Sequence, residues 1–136
     1  MQFDTKIAIV VREDLATWQK LNVTSFLTSG VIGGKRELLG EDYVDAAGNH
    51  YSPLLIQPVI VLSCNGERLK TIYRRGMDRG AKFSIYIEEM FSTGHDVANR
   101  ETVIVCQPEK LNIVGLALRE DRKTVDKITK GARMHD

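Results

Sequence analysis

Residues 6–11 read Lys-Ile-Ala-Ile-Val-Val and run straight into Arg12-Glu13-Asp14-Leu15. Five consecutive apolar residues, most of them β-branched, leave no polar face. Such a run reads as a strand buried on both sides, the central strand of an α/β sheet. What comes next has a helical period. From about Gln19 to Ile32, at about 100° per residue, Val23, Phe26, Leu27 and Gly30 fall on one face, away from Ser25, Thr28 and Ser29. Gly33-Gly34 supplies the stop.

The rest of the chain alternates in the same way. Residues 35–57 are less regular. Asp45-Ala46-Ala47-Gly48-Asn49-His50 has the composition of a hairpin tip, flanked by a minor strand pair at Asp42–Val44 and Tyr51–Ile56. Val59–Cys64 (VIVLSC) is a second buried strand, and a helix runs from about Glu67 to Arg79. Lys82–Ile87 alternates as a third strand. Ser92–Arg100 reads as a polar loop, and Thr102–Cys106 and Ile113–Leu118 as two further strands. A last helix spans about Arg122–Lys130, capped by Asp121 and ended by Gly131. Strands alternating with helices point to a three-layer α/β/α fold with a mixed, mostly parallel sheet.

The 136 residues suit one domain, 1–136, large enough to bury a core without disulfide or metal. Hydrophobic residues make up 43% and charged residues 27%, and there are only 3 prolines, which excludes a disordered or low-complexity chain. A net charge of +1 excludes a histone-like or strongly anionic protein. No stretch approaches the roughly 18 apolar residues of a membrane span, so no membrane partner is expected. The opening MQFDTK lacks a basic region followed by an apolar one, so no signal peptide is expected and the expected location is the cytoplasm. Cys64 and Cys106 are then free thiols. His50, His95 and His135 lack ligand spacing, so no metal is expected. No cofactor is expected either: Gly30, Gly33 and Gly34 end a helix where a nucleotide fingerprint would begin one.

In open α/β sheets ligands bind outside the carboxyl ends of the strands. Arg12, Glu13 and Asp14 follow the first strand, Ser63, Cys64 and Asn65 the second, and Glu88 and Glu89 the third. Lys20 and Asn22 lie early in the first helix. These residues form a candidate ligand edge, although charged side chains also end strands for solvation alone. Cys64 precedes a helix N-terminus, yet no base can be paired with it, and a buried structural thiol is the better reading. Trp18 lies off the apolar stripe and suits boundary packing, with closure of the crevice or a subunit contact as the alternatives. On the second helix Arg68, Arg75 and Arg79 share one flank, and Asp78 is the only acid between Arg68 and Lys82. They read either as a phosphate-binding surface for RNA or as a solvated flank. Gly76 and Gly80 on its apolar face predict close packing.

The opening KIAIVVREDL, the helix beginning near Lys20, and the ending IVGLALREDRKTVDKITKG resemble type-2 peptidyl-tRNA hydrolases. Over nearly the whole chain, WQKLNVTSFLTSG, DAAGNHY, PVIVL and VDKITKG are similar to an uncharacterised, largely bacterial family, the domain of unknown function numbered two thousand, grouped with those hydrolases by fold. The resemblance implies a three-layer α/β/α sandwich. Hydrolases of this type are often dimers, so a homodimer is among the expected assemblies. It also implies catalytic roles for Lys20, for Glu88 or Glu89 in place of an aspartate, and for Thr93. The hydrolases' Gln-x-x-His is missing: Thr24 and Leu27 stand at those positions. The expectation is therefore a protein that binds a small metabolite or RNA at this edge, with little or no peptidyl-tRNA hydrolysis. The alternative is an ester hydrolase with an altered active site.

Overall fold

The computed structural model describes residues 2–136. Strand β1 (Thr5–Arg12) is followed by helix α1 (Thr17–Ile32) and a hairpin of β2 (Tyr43–Val44) and β3 (His50–Tyr51). Then come β4 (Val59–Cys64), α2 (Gly66–Asp78), β5 (Phe83–Ile87), α3 (Asp96–Ile104), β6 (Ile113–Asp121), α4 (Arg122–Thr129) and β7 (Arg133–Met134). The main sheet has five strands in the order β5-β6-β1-β4-β7. Among the described residues no helix is long and apolar enough to cross a membrane.

β1 occupies the centre because both its faces can be buried. Ala8 and Val10 pack with Leu69 and Ile72 of α2 and Val125 and Ile128 of α4. Ile9 and Val11 point the other way, to Val23 and Leu27 of α1. The period of two along the strand thus divides the core between the two faces of the sheet. Asn65 caps α2, its Oδ1 accepting from the Arg68 N–H at 2.8 Å. Asp121 caps α4 by accepting from the Thr124 N–H at 2.9 Å.

Three expectations are corrected. The sheet is mixed, but it is not mostly parallel. Only β1–β4 is parallel, whereas β1–β6, β5–β6 and β4–β7 are antiparallel. The cause lies in the segment before β6. It stays at the edge where β5 ended, so β6 runs back between β5 and β1 without a crossover. As a result β1, β4 and β5 still point the same way, and their carboxyl ends share one edge. Second, Thr102–Cys106 is no strand. His95 caps a helix over Asp96–Ile104, its Nδ1 accepting from the Ala98 N–H at 3.1 Å. Val103 and Cys106 lean on the core while Ile104 is 83% exposed. Third, Gly80 packs against nothing; it holds φ +64° as the left-handed residue after α2. Gly76 does pack closely, since a Cβ there would stand 2.8 Å from Phe83 Cε1.

Candidate functional site

The shared carboxyl edge carries two separate groups of side chains. The first is ionic. Arg12, at the end of β1, donates from Nε to Asp14 Oδ1 at 2.5 Å and reaches Glu88 Oε1 from Nη2 at 3.8 Å. Asn112 bridges the pair: its Oδ1 lies 3.5 Å from Arg12 Nη1, and its Nδ2 donates to Glu88 Oε2. The backbone ties the same strands, with Glu13 N–H donating to Cys64 O at 2.9 Å and Glu88 N–H to Asn112 O at 3.0 Å. Arg12, Asp14 and Glu88 are therefore brought together, and they satisfy one another.

The second group is a cavity of about 260 Å³ between the first half of α1 and the turn that follows β5. Trp18, Asn22 and Phe26 enter it from α1 at positions i, i+4 and i+8, one stripe of the helix. Four rings form a connected wall. Trp18 meets Phe91 edge-on at 5.7 Å between centroids, Phe91 meets Tyr86 at 5.1 Å, and Tyr86 meets Phe26 at 5.9 Å. Trp18 and Phe26 are about half exposed, so the wall is open to a ligand. The irregular register at Tyr86/Ile87 leaves Val114 of β6 without a partner residue on β5 and involves Tyr86, itself one of the four rings.

Polar groups face the rings. Thr93 Oγ1 donates to the Met90 carbonyl at 2.9 Å and rests against the Asn99 side-chain amide. Because His95 Nδ1 accepts from the Ala98 N–H, its proton sits on Nε2, which is left as a donor. The Tyr86 hydroxyl has no hydrogen-bond partner among the described residues and is not sealed from solvent. Burial raises its pKa above the ordinary phenol value, so the group stays protonated and can donate. Asp96, also at the rim, pairs with Arg100. The set can hold a planar molecule between apolar walls and donate hydrogen bonds to its acceptors.

The residues expected from sequence divide among these places. Asn22 and Thr93 line the cavity. Lys20 does not; it lies about 200° around α1 from Trp18 and its side chain is partly buried. Asn65 is the α2 cap. Cys64 is buried, and its thiol pKa is pushed up to about 11, chiefly by that burial and further by the Glu13 carboxylate, with Arg68 acting in the opposite sense. Leu27 is core, 2% exposed. Arg75 is bound within the fold, donating to Ile128 O at 3.2 Å and Lys130 O at 2.7 Å. Arg68 lies over Gly131, and Arg79 is exposed beyond the helix end. Tyr86, Phe91, His95 and Asn99 escaped sequence reading. Their one available signal was the Trp18-Asn22-Phe26 stripe, which left aromatic side chains without an intrahelical reason.

The family model described as a protein of unknown function, DUF2000, matches residues 5–136. A solved structure of a protein of unknown function from Agrobacterium tumefaciens strain C58 superposes with a TM-score of 0.97 at 54% identity. That similarity covers 99% of this chain and 100% of the other. No curated protein matches. The chain belongs to the DUF2000 family of proteins of unknown function.

Proposed function

We propose that the protein binds a small, planar metabolite in the aromatic cavity at the carboxyl edge of the sheet. The observation that carries this reading is the four-ring wall that includes Tyr86, whose donating hydroxyl has no partner among the described residues, in a cavity also lined by Asn22, Thr93 and Asn99. Apolar walls with a few convergent polar groups are the usual make-up of a small-molecule site. An acceptor on the ligand would satisfy the phenol, and the rings would contribute stacking.

The reading keeps the fold relationship to type-2 peptidyl-tRNA hydrolases, a three-layer sandwich, while dispensing with their reaction. Hydrolysis at the edge would need Lys20 and Glu88 to meet one reacting atom, with Thr93 beside them. Glu88 is held by Arg12 and Asn112, and Leu27 in the core can neither accept nor donate a proton. Loss of one positioned donor commonly costs about 10²–10³ in rate. Turnover of peptidyl-tRNA is therefore expected to be absent. RNA is the less supported ligand because Arg75, one of the three arginines on that flank, is engaged by α4 carbonyls. We place the protein in the cytoplasm, which suits its free thiols.

Trp18 is the only tryptophan and stands in the cavity wall, so its fluorescence reports on the site directly. A library of aromatic and heteroaromatic acids, amides and nucleobases is titrated against the whole protein. Saturable change in Trp18 emission, weakened at least tenfold in Phe91→Ala, is the expected result. No saturable change, or binding equal in Phe91→Ala, would overturn the reading.

A further inference from the structure

The edge of the sheet opposite the aromatic cavity carries a smaller cavity, of about 100 Å³. It lies where α1 ends, over the start of β5 and the far end of β6. Gly30, Lys35, Lys82, Ser84, Arg119 and Glu120 are among the residues that line it. Three cations and one carboxylate thus surround a space smaller than the roughly 150 Å³ that admits a benzene ring. The ladder explains part of this gathering. Phe83 pairs with Leu118 and Ser84 with Ala117, so Lys82 and Arg119 stand opposite each other one step beyond. By the period of two they share the face of Ser84 and Ala117, which α1 covers. Like charges directly opposite each other destabilise a sheet. No carboxylate relieves them: among the described residues Lys35, Lys82, Arg119 and Glu120 form no ion pair.

The other features are not accounted for by folding alone. Arg119 is fixed by its Nε, which donates to Oε1 of the buried Gln57 at 3.1 Å, and its Nη groups make no hydrogen bond among the described residues. Lys35 is not needed as a helix cap. The Ser29 carbonyl already accepts from the Gly33 N–H at 3.0 Å, and the Ile32 carbonyl from the backbone N–H of Lys35 at 2.7 Å. Gly34, at φ +75°, makes the turn that carries Lys35 to the cavity. The Ser84 hydroxyl has no partner among the described residues and is not sealed from solvent. Gly30 leaves room for it, since a Cβ there would overlap Ser84 Oγ.

We propose that this cavity binds a compact dianionic oxyanion: the phosphoryl group of a small phosphorylated metabolite, or free phosphate. Three cations against one carboxylate leave the excess charge that a dianion balances. Ammonium, guanidinium and hydroxyl donors are the partners that phosphoryl oxygens accept from. With the anion between them, Lys82 and Arg119 become two donors to one ligand instead of a repelling pair. The site lies at the other end of α1 and β5 from the aromatic cavity and does not depend on what that cavity holds.

The test is chemical-shift mapping on the isotope-labelled full-length protein, with chloride holding the ionic strength constant so that screening does not change. Inorganic phosphate and glycerol phosphate are the probes, and acetate is the monoanion for comparison. Both phosphates should give saturable shifts concentrated on the amides of Lys35, Lys82, Ser84 and Glu120, with acetate weaker. Lys82→Gln should weaken phosphate roughly tenfold or more. Lys130→Gln, exposed at the end of α4, should leave it unchanged. Without phosphate, Lys82→Gln should melt no lower than the wild type, because it removes a repulsion. Should Lys82→Gln fail to fold, Lys35→Gln, also exposed, gives the same reading of affinity. Tighter binding of the ester supports the phosphoryl end of a metabolite as the ligand, and tighter binding of inorganic phosphate supports the free ion. The proposal is overturned by the absence of saturable shifts, by shifts only elsewhere, or by acetate binding as tightly as phosphate. It is equally overturned if the lysine variants keep full affinity, if Lys130→Gln loses as much, or if only tRNA shifts these amides.

Discussion

Gly115 in β6 leaves bare the space into which Val23 of α1 projects. A Cβ on Gly115 would overlap Val23 Cγ1 and stand 3.0 Å from Leu27 Cδ1. The contact seats α1 directly on the sheet and so fixes the stripe of Trp18, Asn22 and Phe26 at the cavity. Gly115→Ala should destabilise the fold by roughly 1–3 kcal/mol through overpacking. Denaturant unfolding measures this, and an unchanged midpoint would mean that α1 does not lie so close.

The tip of the β2–β3 hairpin should be sensitive to acid. Asp45 Oδ2 accepts from Asn49 Nδ2 at 3.0 Å and from the Tyr51 hydroxyl at 2.8 Å, while Oδ1 accepts from the Ala47 and Asn49 N–H groups. The Asn49 side chain, followed by Tyr51, lowers the Asp45 pKa from 3.8 to about 2. A carboxylate depressed in the folded state stabilises above its ordinary pKa, and that contribution is lost as pH falls through the folded value. Amide protection over 43–51 should hold at pH 5 and fall between about pH 4 and pH 2. A carboxyl carbon of Asp45 titrating near 4 would contradict this.

Thiol chemistry should separate the two cysteines. Cys64 is 5% exposed with a pKa near 11, whereas Cys106 is only partly covered. At pH 8 a disulfide reagent should modify Cys106 first and reach Cys64 only on unfolding. Peptide mapping reads the order. Rapid labelling of Cys64 would restore it as a reactive group.

Arg75 should behave as a structural residue. Its two bonds to carbonyls at the end of α4 are charge-assisted, and Arg75→Ala should cost about 1–3 kcal/mol. Retained affinity for tRNA is not part of that expectation. A variant of unchanged stability that lost salt-dependent tRNA binding would return the helix to the nucleic-acid reading.

How far the sequence revealed these features follows from the kind of constraint each residue carries. Ile7–Val11 fixed the central strand because no polar side chain interrupts the run. The cap Asp121 announced its helix through a local hydrogen bond, whereas Asn65, read as part of the ligand edge, is spent on capping α2. Strand direction was hidden, because it depends on the edge from which residues 105–112 enter the sheet. The β-branched run that suggested a strand at 102–106 instead forms the last turn of α3 and the turn after it, since His95 caps the start of that helix and the sheet positions are filled by β6 and β1. At the site, Arg12, Asp14 and Glu88 were legible as strand ends. The cavity was not, because Trp18, Tyr86, Phe91 and Asn99 come together from α1, β5, the turn after β5 and α3, with no common period.

The central claim is tested most directly by mapping bound compounds on the isotope-labelled protein by nuclear magnetic resonance, using the aromatic library. Shifts should concentrate on the Trp18 indole, the Tyr86 and Phe91 rings, and the Thr93 and Asn99 amides, the groups that enclose the cavity. Asn99→Ala should weaken the same compounds without unfolding the protein. Compounds that shift only residues elsewhere, such as Met77 and Leu111 in the depression beside α2, would contradict it, as would a library with no binder at millimolar concentration.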